Sequence, residues 1–294
     1  MASMQIDGTS IEYLEQGNGE PVVLVHGSAS DFRTWDQQKD EFAKHFRTIA
    51  YSRRFHWPNE PISEGADYSM QQHVDDIGSL IGALHASPAH LIGHSYGAFL
   101  CLLLAIQQPT LVRSLVLAEP PALTLFVSNS PRPGELLRLL LRRPCTAIAI
   151  IKLGATGISP ATQAFQRGEL EKGAEIFGDA VLGKGSHQRL PELRKAQIRD
   201  NLGTVRAEFL GSGFLPLHDK AVRTIRVPTL LVTGQKSMSV FHRLVDRIDE
   251  LLPNSERVEI AHASHAMQED NSSEFNEHCI KFLQKASTNI VIGA

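Results

Sequence analysis

A Gly-x-Ser-x-Gly motif at residues 93–97 constrains this chain more than any other feature. The apolar run 89–92 precedes the motif, and an apolar, helix-like segment, 99–106, follows it directly. A serine held between a strand and a helix, with glycine on both sides, is typical of a sharp turn that exposes a nucleophilic hydroxyl. Glycine is needed where strand and helix approach too closely for a larger side chain. The motif therefore predicts Ser95 as a nucleophile; a Gly/Ser turn without chemistry is the alternative.

Apolar runs alternate with helical patterns along most of the chain. The runs predicted as buried strands are 21–25, 48–51, 89–92, 114–118, 229–233 and 257–260. Residues 6 and 11–14 alternate apolar and polar around Asp7-Gly8, which predicts an edge hairpin and brings the strands to eight. We therefore predict an α/β fold with a mostly parallel, eight-stranded sheet and helices on both of its faces.

The alternation stops once, between residues 123 and 214. This segment contains no buried-strand run, and its helical stretches are 134–143, 146–153, 161–172 and 191–209. We predict a core formed by 1–122 and 215–294, with 123–214 inserted between strands six and seven as a helical cap on the side of Ser95. A peripheral helical subdomain is the alternative.

The apolar side chains of this segment favour an apolar or aromatic substrate. The residues on which this prediction depends are Phe126, Leu137, Leu140, Ile148, Ile151 and Phe165. Helices of that composition would also be expected simply to pack on the core.

Composition excludes several classes of protein. Lys and Arg number 29 against 32 Asp and Glu, so no overall basic field indicates nucleic-acid binding. The three cysteines are far apart and form neither a zinc-type pair nor a disulfide framework. No signal-peptide pattern is visible, and no apolar run approaches the ~20 residues that span a membrane. We expect a cytoplasmic monomer or homodimer that acts on a small molecule without cofactor, metal, nucleic acid or membrane.

A nucleophilic serine needs a base, and His265 is the first candidate. It lies just beyond the last predicted strand, in a loop expected at the same carboxyl edge of the sheet as Ser95. An imidazole can accept the serine proton near neutral pH and return it to the leaving group. The alternatives are His262, in the same loop, and a solvent-exposed histidine without a catalytic role.

The expected oxyanion hole consists of two backbone amides. His26-Gly27-Ser28 follows the first long buried strand, and Tyr96 follows the nucleophile. The N–H groups of Ser28 and Tyr96 are the predicted donors. His26 and His94 are expected to stabilise the turns rather than to catalyse.

These motifs, with Phe32-x-x-Trp35, make the chain similar to α/β-hydrolase-fold proteins over nearly its whole length. The resemblance implies a serine nucleophile. It does not fix the substrate, because the fold hosts esterases, lactonases, thioesterases, C–C hydrolases and haloperoxidase-like enzymes. Epoxide hydrolases and dehalogenases of this fold are disfavoured, since they use Asp at the position of Ser95.

The chain departs from this family at the acid of the catalytic triad. In most members an Asp stands two or three residues past the glycine that here is Gly234. Residues 235–239 read Gln-Lys-Ser-Met-Ser and contain no carboxylate. Another residue must therefore orient His265, or the site is disabled.

Glu119 is the candidate for the missing acid. It follows the predicted strand 114–118, and some family members carry their acid at that place. Two prolines after Glu119 would stiffen its backbone. The alternatives are Asp219 as the acid, or a Glu119 that caps a helix or pairs with Arg53 or Arg54.

Residues 51–59, Tyr-Ser-Arg-Arg-Phe-His-Trp-Pro-Asn, form a second departure. Relatives usually carry an Asp-x-x-Gly-x-Gly-x-Ser loop here. Arg54 and Trp57 are predicted substrate-binding residues, since a guanidinium can bind a carboxylate or phenolate. The alternative is that these bulky residues pack the loop against the sheet edge.

The sequence thus predicts a serine hydrolase that cleaves an ester, a lactone or a related carbonyl bond through an acyl-enzyme. Ser95 is the nucleophile, His265 the base and Glu119 the acid. Alternatives within the fold are a C–C bond hydrolase and a haloperoxidase-like enzyme. The alternative from another class is a non-catalytic ligand receptor with a degenerate site.

Overall fold

A computed structural model describes residues 1–63 and 65–291, except for the side chains of 289–291. Its strands are β1 (Ala2–Ile6), β2 (Thr9–Gln16), β3 (Pro21–Val25), β4 (Arg47–Tyr51), β5 (Ala89–His94), β6 (Val112–Ala118), β7 (Thr229–Gly234) and β8 (Ser255–Ile260). They form one sheet in the order β1-β2-β4-β3-β5-β6-β7-β8. The β1–β2 and β2–β4 pairs are antiparallel and the other pairs are parallel. The predicted eight-stranded, mostly parallel sheet is confirmed.

Helices connect most of these strands. They are α1 (Lys39–Ala43), α2 (Met70–Ala83), α3 (Tyr96–Gln107), α4 (Pro133–Arg142), α5 (Pro144–Leu153), α6 (Ser159–Gln166), α7 (Leu170–Leu182), α8 (Ser186–Arg189), α9 (Glu192–Asp200), α10 (Leu202–Leu210), α11 (Asp219–Val222), α12 (Ser239–Leu251), α13 (Met267–Asp270) and α14 (Ser272–Val291).

The central strands β3 to β7 are buried on both faces, whereas β8, predicted as a buried strand, is largely exposed because it lies at the edge of the sheet. In β3, Val23 and Val25 pack in the cluster that contains α2 and α3, whereas Val22 and Leu24 pack in the cluster that contains α1 and α14. Because successive strand residues face opposite sides, a strand covered on both sides must be apolar at every position. This explains the continuous apolar runs and brings the carboxyl ends of β5, β6, β7 and β8 to one edge.

Helices α4 to α10 lie between β6 and β7, within the segment 123–214. They have a small core of their own around Phe165, Ile198 and Val205. Helix α12 joins this segment to the sheet: Leu244 packs with helices of the segment, and Val245 packs in the sheet core. Because α12 follows β7, the helical segment is attached to the sheet near the carboxyl end of β7.

One helix in this segment is longer than the sequence predicted. Helices α5 and α6 are joined by a π turn, Gly154–Ile158, into a continuous helix of 23 residues, Pro144–Gln166. By length and composition it could cross a membrane, so the expectation that no apolar stretch approaches that length was wrong. The π turn carries the helix through Gly154, where the sequence pattern suggested a break. Core helices reach the same length and hydropathy, so this helix by itself does not assign the chain to a membrane.

Candidate active site

Ser95 forms the turn between β5 and α3. Its backbone has φ +51° and ψ −120°, a conformation rarely adopted by a residue with a side chain. A Cβ atom on Gly93 would lie 2.4 Å from Ala98 Cα, and one on Gly97 would lie 2.2 Å from the Val25 carbonyl oxygen. Both motif glycines are thus required by close backbone approach. The turn is strained and tightly enclosed, as expected of one that presents a functional side chain.

Glu119 and His265 are in direct contact. Glu119 directly follows β6, is fully buried and has φ +47°. Its Oε2 accepts a hydrogen bond from His265 Nδ1 at 2.5 Å, and its Oε1 accepts one from the Gly234 amide at 2.9 Å. Glu119, at the end of β6, is therefore held by hydrogen bonds to the end of β7 and to His265. With Nδ1 engaged, Nε2 is the nitrogen of His265 left for chemistry.

Two further residues position His265. The Phe241 ring stacks on its imidazole, with ring centroids 3.9 Å apart and an angle of 19° between the planes. His94 Nε2 donates a hydrogen bond to the His265 carbonyl oxygen at 2.7 Å. Burial lowers the pKa of His94 well below its usual value, which keeps that ring neutral. His94 thus has the supporting place expected of it, whereas nothing in the sequence distinguished Phe241 from a core residue of α12.

Ser28, Ser95 and Tyr96 line one cavity. A Cβ atom on Gly27 would lie 3.2 Å from Ser95 Cβ, so the loop after β3 lies directly against the nucleophile turn. Within 1–63 and 65–291, neither the Ser28 nor the Tyr96 amide donates a hydrogen bond to a protein acceptor. Both amides are therefore available to a developing oxyanion.

The structure places Ser95 and His265 at the same sheet edge, and the described residues show no hydrogen bond between Ser95 Oγ and the imidazole. Such bonds are often long or poorly aligned before substrate binds. The competing candidates lie elsewhere: His262 is exposed and its amide donates to Gln235 Oε1. Asp219 forms an ion pair with Arg247, away from the cavity lining.

The cavity beside Ser95 has a volume of about 440 Å³. Its apolar lining comes from Leu123, Leu153, Ile158, Phe177, Val181, Phe209, Phe214 and Phe241. The six residues on which the sequence prediction of an apolar substrate depended are absent from the lining. Leu137, Leu140, Ile148 and Ile151 are exposed, and Phe165 is buried inside the helical segment. The cavity lining is largely apolar, but the side chains predicted from the sequence are not the ones that form it. Helical periodicity identifies an apolar face of a helix and does not show whether that face points toward the cavity.

The substrate-binding role predicted for Arg54 and Trp57 does not fit the structure, because neither lines the cavity. Arg54 forms a buried, bidentate ion pair with Asp76, at 2.5 and 2.7 Å. Trp57 is 37% exposed, and the Arg33 guanidinium lies 3.8 Å from its ring centroid. These residues fasten the loop to the protein, as the alternative interpretation held.

Arg53, beside Arg54 in sequence, has a different environment. It is fully buried, and its Nη2 donates to Glu208 Oε1 at 2.8 Å and to the Gly27 carbonyl oxygen at 3.0 Å. Its Nη1 lies 3.3 Å from the Tyr68 hydroxyl. Burial alone would lower the pKa of Arg53, but Tyr68 and Glu208 raise it, so the guanidinium stays charged. Arg53 therefore joins the loop after β3 to Tyr68 and Glu208, which both line the cavity.

Three buried histidines, His26, His56 and His73, surround this arginine. Burial, and then the charge of Arg53, lowers the pKa of each well below its usual value, so all three are neutral near pH 7. His26 Nε2 accepts a hydrogen bond from the Arg53 amide at 2.9 Å. Although these histidines lie close together, no group of three or more His, Cys, Asp or Glu in the part of the chain that the structure describes could hold a metal ion.

Residues 22–278 match the sequence model described as "Alpha/beta hydrolase family". The "Uncharacterized hydrolase YraK" of Bacillus subtilis is 29% identical over 133 residues, 45% of this chain and 49% of the relative, so the match spans about half of that relative's length. The "Putative carbamate hydrolase RutD" of Pantoea ananatis is 25% identical over 94% of this chain and 92% of the relative. Among solved structures, carboxylesterase CesB of Bacillus subtilis is similar in fold, with a TM-score of 0.71 and 19% identity over 96% of this chain and 90% of that chain.

Proposed function

Because this chain belongs to the alpha/beta hydrolase family, we propose that it is a serine hydrolase that cleaves an ester, a lactone or a related carbonyl bond through an acyl-enzyme. The observation that carries the proposal is the contact between Glu119 and His265 Nδ1 at the sheet edge where Ser95 lines a cavity. A proton held on Nδ1 by the carboxylate leaves Nε2 as the basic nitrogen. That tautomer is the one a general base for Ser95 requires.

The reaction proceeds in two steps, acylation of Ser95 and hydrolysis of the acyl-enzyme. Ser95 Oγ attacks the carbonyl carbon while its proton passes to His265 Nε2, and the Ser28 and Tyr96 amides stabilise the oxyanion. The bond to the leaving alcohol then breaks, and His265 returns the proton to the alcohol oxygen. Water then attacks the acyl carbon while it loses a proton to His265; the bond to Ser95 Oγ breaks, His265 returns that proton to Oγ, and the carboxylic acid leaves.

The cavity supports a small, largely apolar substrate. Its volume of about 440 Å³ is in the range of small-molecule sites, roughly 300–1,000 Å³. The name carboxylesterase, given to the similar structure CesB, agrees with an ester substrate. We further propose that the helical segment 123–214 acts as a cap, since Leu153, Phe177 and Phe209 of that segment line the cavity.

A ligand receptor was the alternative from another class, and it depended on the missing acid after Gly234. Glu119 supplies a carboxylate to His265 from the neighbouring strand, which removes that support. The C–C hydrolase alternative has support of the same kind, since a meta-cleavage product hydrolase of Pseudomonas fluorescens is similar in fold, with a TM-score of 0.61 and 20% identity over 97% of this chain and 98% of that chain. The haloperoxidase-like alternative is favoured by no contact in the described site.

The test uses p-nitrophenyl esters of short and medium chain length and a fluorophosphonate that labels activated serines. We expect wild-type turnover and labelling, and a loss of about 10³-fold or more in kcat for Ser95→Ala, which should not be labelled. Ser130→Ala removes another cavity serine and is the matched control, which should keep both activities. Unchanged turnover in Ser95→Ala would refute the proposal. Absence of turnover and labelling in the wild type, with tight ligand binding, would favour the receptor.

A further inference from the structure

Glu208 is the one charged residue in the described lining of the cavity. It lies on α10, within the helical segment, and its side chain is 5% exposed. The remaining lining consists of apolar side chains, glycines and a few hydroxyl and amide groups. A carboxylate in such surroundings is costly unless hydrogen-bond donors satisfy its oxygens.

The two oxygens of Glu208 are not equally satisfied. Oε1 accepts hydrogen bonds from Arg53 Nη2 at 2.8 Å and from the Tyr68 hydroxyl at 3.1 Å. Oε2 accepts none from the residues that the structure describes. Oε2 is open to the cavity rather than buried, so a bound molecule that removes solvent from this oxygen must supply a hydrogen-bond donor in its place.

The charges around Glu208 favour a neutral donor. Arg53 balances the carboxylate at 2.8 Å, so the pair carries no net charge toward the cavity. A cationic ligand would be desolvated there without a free counter-charge, whereas a hydroxyl needs only the acceptor. The same guanidinium lies 4.6 Å from the ring centroid of Tyr96, the residue after the nucleophile. Through Arg53, Glu208 is thus linked to Tyr96 in the wall of the same cavity.

We propose that Glu208 Oε2 accepts a hydrogen bond from a hydroxyl group of the substrate, and that the natural substrates are apolar esters or lactones that carry such a hydroxyl away from the reacting carbonyl. This inference rests on the proposed acyl-serine hydrolysis. It differs from a purely structural role, in which Glu208 would only tie the cap to the loop through Arg53 and touch no substrate.

The test compares p-nitrophenyl esters of phenylpropanoic acid that differ at one ring position, which carries hydrogen, hydroxyl or methoxyl. The position is moved around the ring, since the distance from the carbonyl must suit the cavity. Methoxyl retains the acceptor oxygen and removes the donor. At the best position, the wild type should prefer hydroxyl over methoxyl by about tenfold to a hundredfold in kcat/KM.

Glu208→Gln tests the assignment to this residue. Arg53 and Tyr68 are donors, so they should hold the amide oxygen at the Oε1 position and place the NH2 group where Oε2 was. An acceptor becomes a donor, and the preference for hydroxyl over methoxyl should disappear or invert. Thr162→Val is the matched control, since Thr162 lines the same cavity and its hydroxyl bonds to the Ile158 carbonyl. This control should keep the preference.

Two outcomes overturn the inference: equal kcat/KM for the three wild-type substrates at every ring position, or an equal loss for all three in Glu208→Gln. The first needs no variant, so it decides the question even where Glu208→Gln does not fold. If the wild type hydrolyses none of the esters and no fluorophosphonate labels Ser95, the proposed function is overturned, and this inference with it.

Discussion

Glu119 and Glu208 are both buried carboxylates that accept a hydrogen bond from a nitrogen-containing side chain, yet the two pairs differ in their contacts. Both oxygens of Glu119 accept hydrogen bonds, whereas Glu208 uses only Oε1. The partner of Glu119 is the imidazole of His265, which can accept a proton from Ser95, and the partner of Glu208 is the guanidinium of Arg53, which keeps its charge. A carboxylate whose two oxygens both accept hydrogen bonds is held in one place, so it is suited to orienting the imidazole of a general base. An acid with a free oxygen beside a permanent charge is suited to holding two segments together and accepting a ligand.

The two acids also differ in the backbone structure that holds them. Glu119 extends a parallel strand, and its amide donates to the Val232 carbonyl oxygen at 3.2 Å, so backbone hydrogen bonds fix its register. Glu208 lies on a cap helix, α10, and meets the core loop through side chains. Loss of Glu119 should therefore damage chemistry more than folding, and loss of the Arg53 pair should damage folding more than chemistry.

The largest expected effect is that of Glu119→Gln. The amide NH2 group opposite His265 Nδ1 would favour the tautomer with its proton on Nε2, the wrong one for a base. We expect kcat to fall by about 10³- to 10⁴-fold, with little change in the melting temperature, because Gln can still accept from the Gly234 amide. Glu208→Gln is the same substitution at the other acid and should cost far less in kcat on an ester without a hydroxyl. Equal losses in both variants would erase the distinction between the two pairs.

The second expected effect is on stability. Arg53→Met leaves the Glu208 carboxylate without its cation and removes one of the two donors to the Gly27 carbonyl oxygen, the other being His26 Nδ1. Breaking a buried ion pair from one side should lower the free energy of unfolding by about 3–5 kcal/mol. The double variant Arg53→Met/Glu208→Leu should recover much of this, since no buried charge is left.

Urea unfolding of both singles and the double measures this coupling. Arg167→Met breaks an exposed ion pair with Glu169 and should leave the unfolding midpoint unchanged. If the double variant is as unstable as the sum of the singles, the two residues are not coupled, and the description of the Arg53 pair is wrong.

The Glu119 region could be predicted from sequence and the Glu208 region could not. The turn at Ser95 is encoded locally by Gly93 and Gly97, and parallel strands bring their carboxyl ends to one edge, which made His265 and Glu119 candidates. Nothing local distinguishes Glu208 from other acids on cap helices, because its partner is 155 residues away in the chain. Here only tertiary packing decides which residues meet.

The arginine loop shows the same limit. Arg53 and Arg54 are adjacent and chemically identical, so no pattern could assign one to Glu208 and the other to Asp76. In the cap, the predicted helix 161–172 is broken where Gly168 has φ +77°, and 191–209 is interrupted at Asn201. Apolar periodicity continues through both breaks, so it gave one helix where the structure has two.

The smallest expected effect concerns His73, which belongs to the surroundings of Arg53 and has no counterpart around Glu119. Among the residues that the structure describes, neither of its ring nitrogens has a hydrogen-bond partner, and its ring packs edge-on against Tyr68, with centroids 4.5 Å apart. Burial, then the charges of Arg53 and Arg54, lowers its pKa well below the usual value. Below about pH 6.5 the unfolded chain binds a proton on this histidine that the folded chain excludes. Above that pH the histidine is neutral in both the folded and the unfolded chain, so it does not affect the pH dependence of stability. As the pH falls through about 6.5 toward the lowered pKa, the free energy of unfolding decreases.

His73→Phe should remove this dependence and fill the same apolar space. Between about pH 7.5 and about pH 5.5, we expect its free energy of unfolding to fall by about 1 kcal/mol less than that of the wild type. Urea midpoints at both pH values measure the difference. His262→Asn, at an exposed position whose φ of +61° suits asparagine, is the control and should follow the wild type. A variant as acid-sensitive as the wild type would mean that the fold accommodates a charged ring at residue 73, and that the Arg53 region is less sealed than the contacts of its guanidinium indicate.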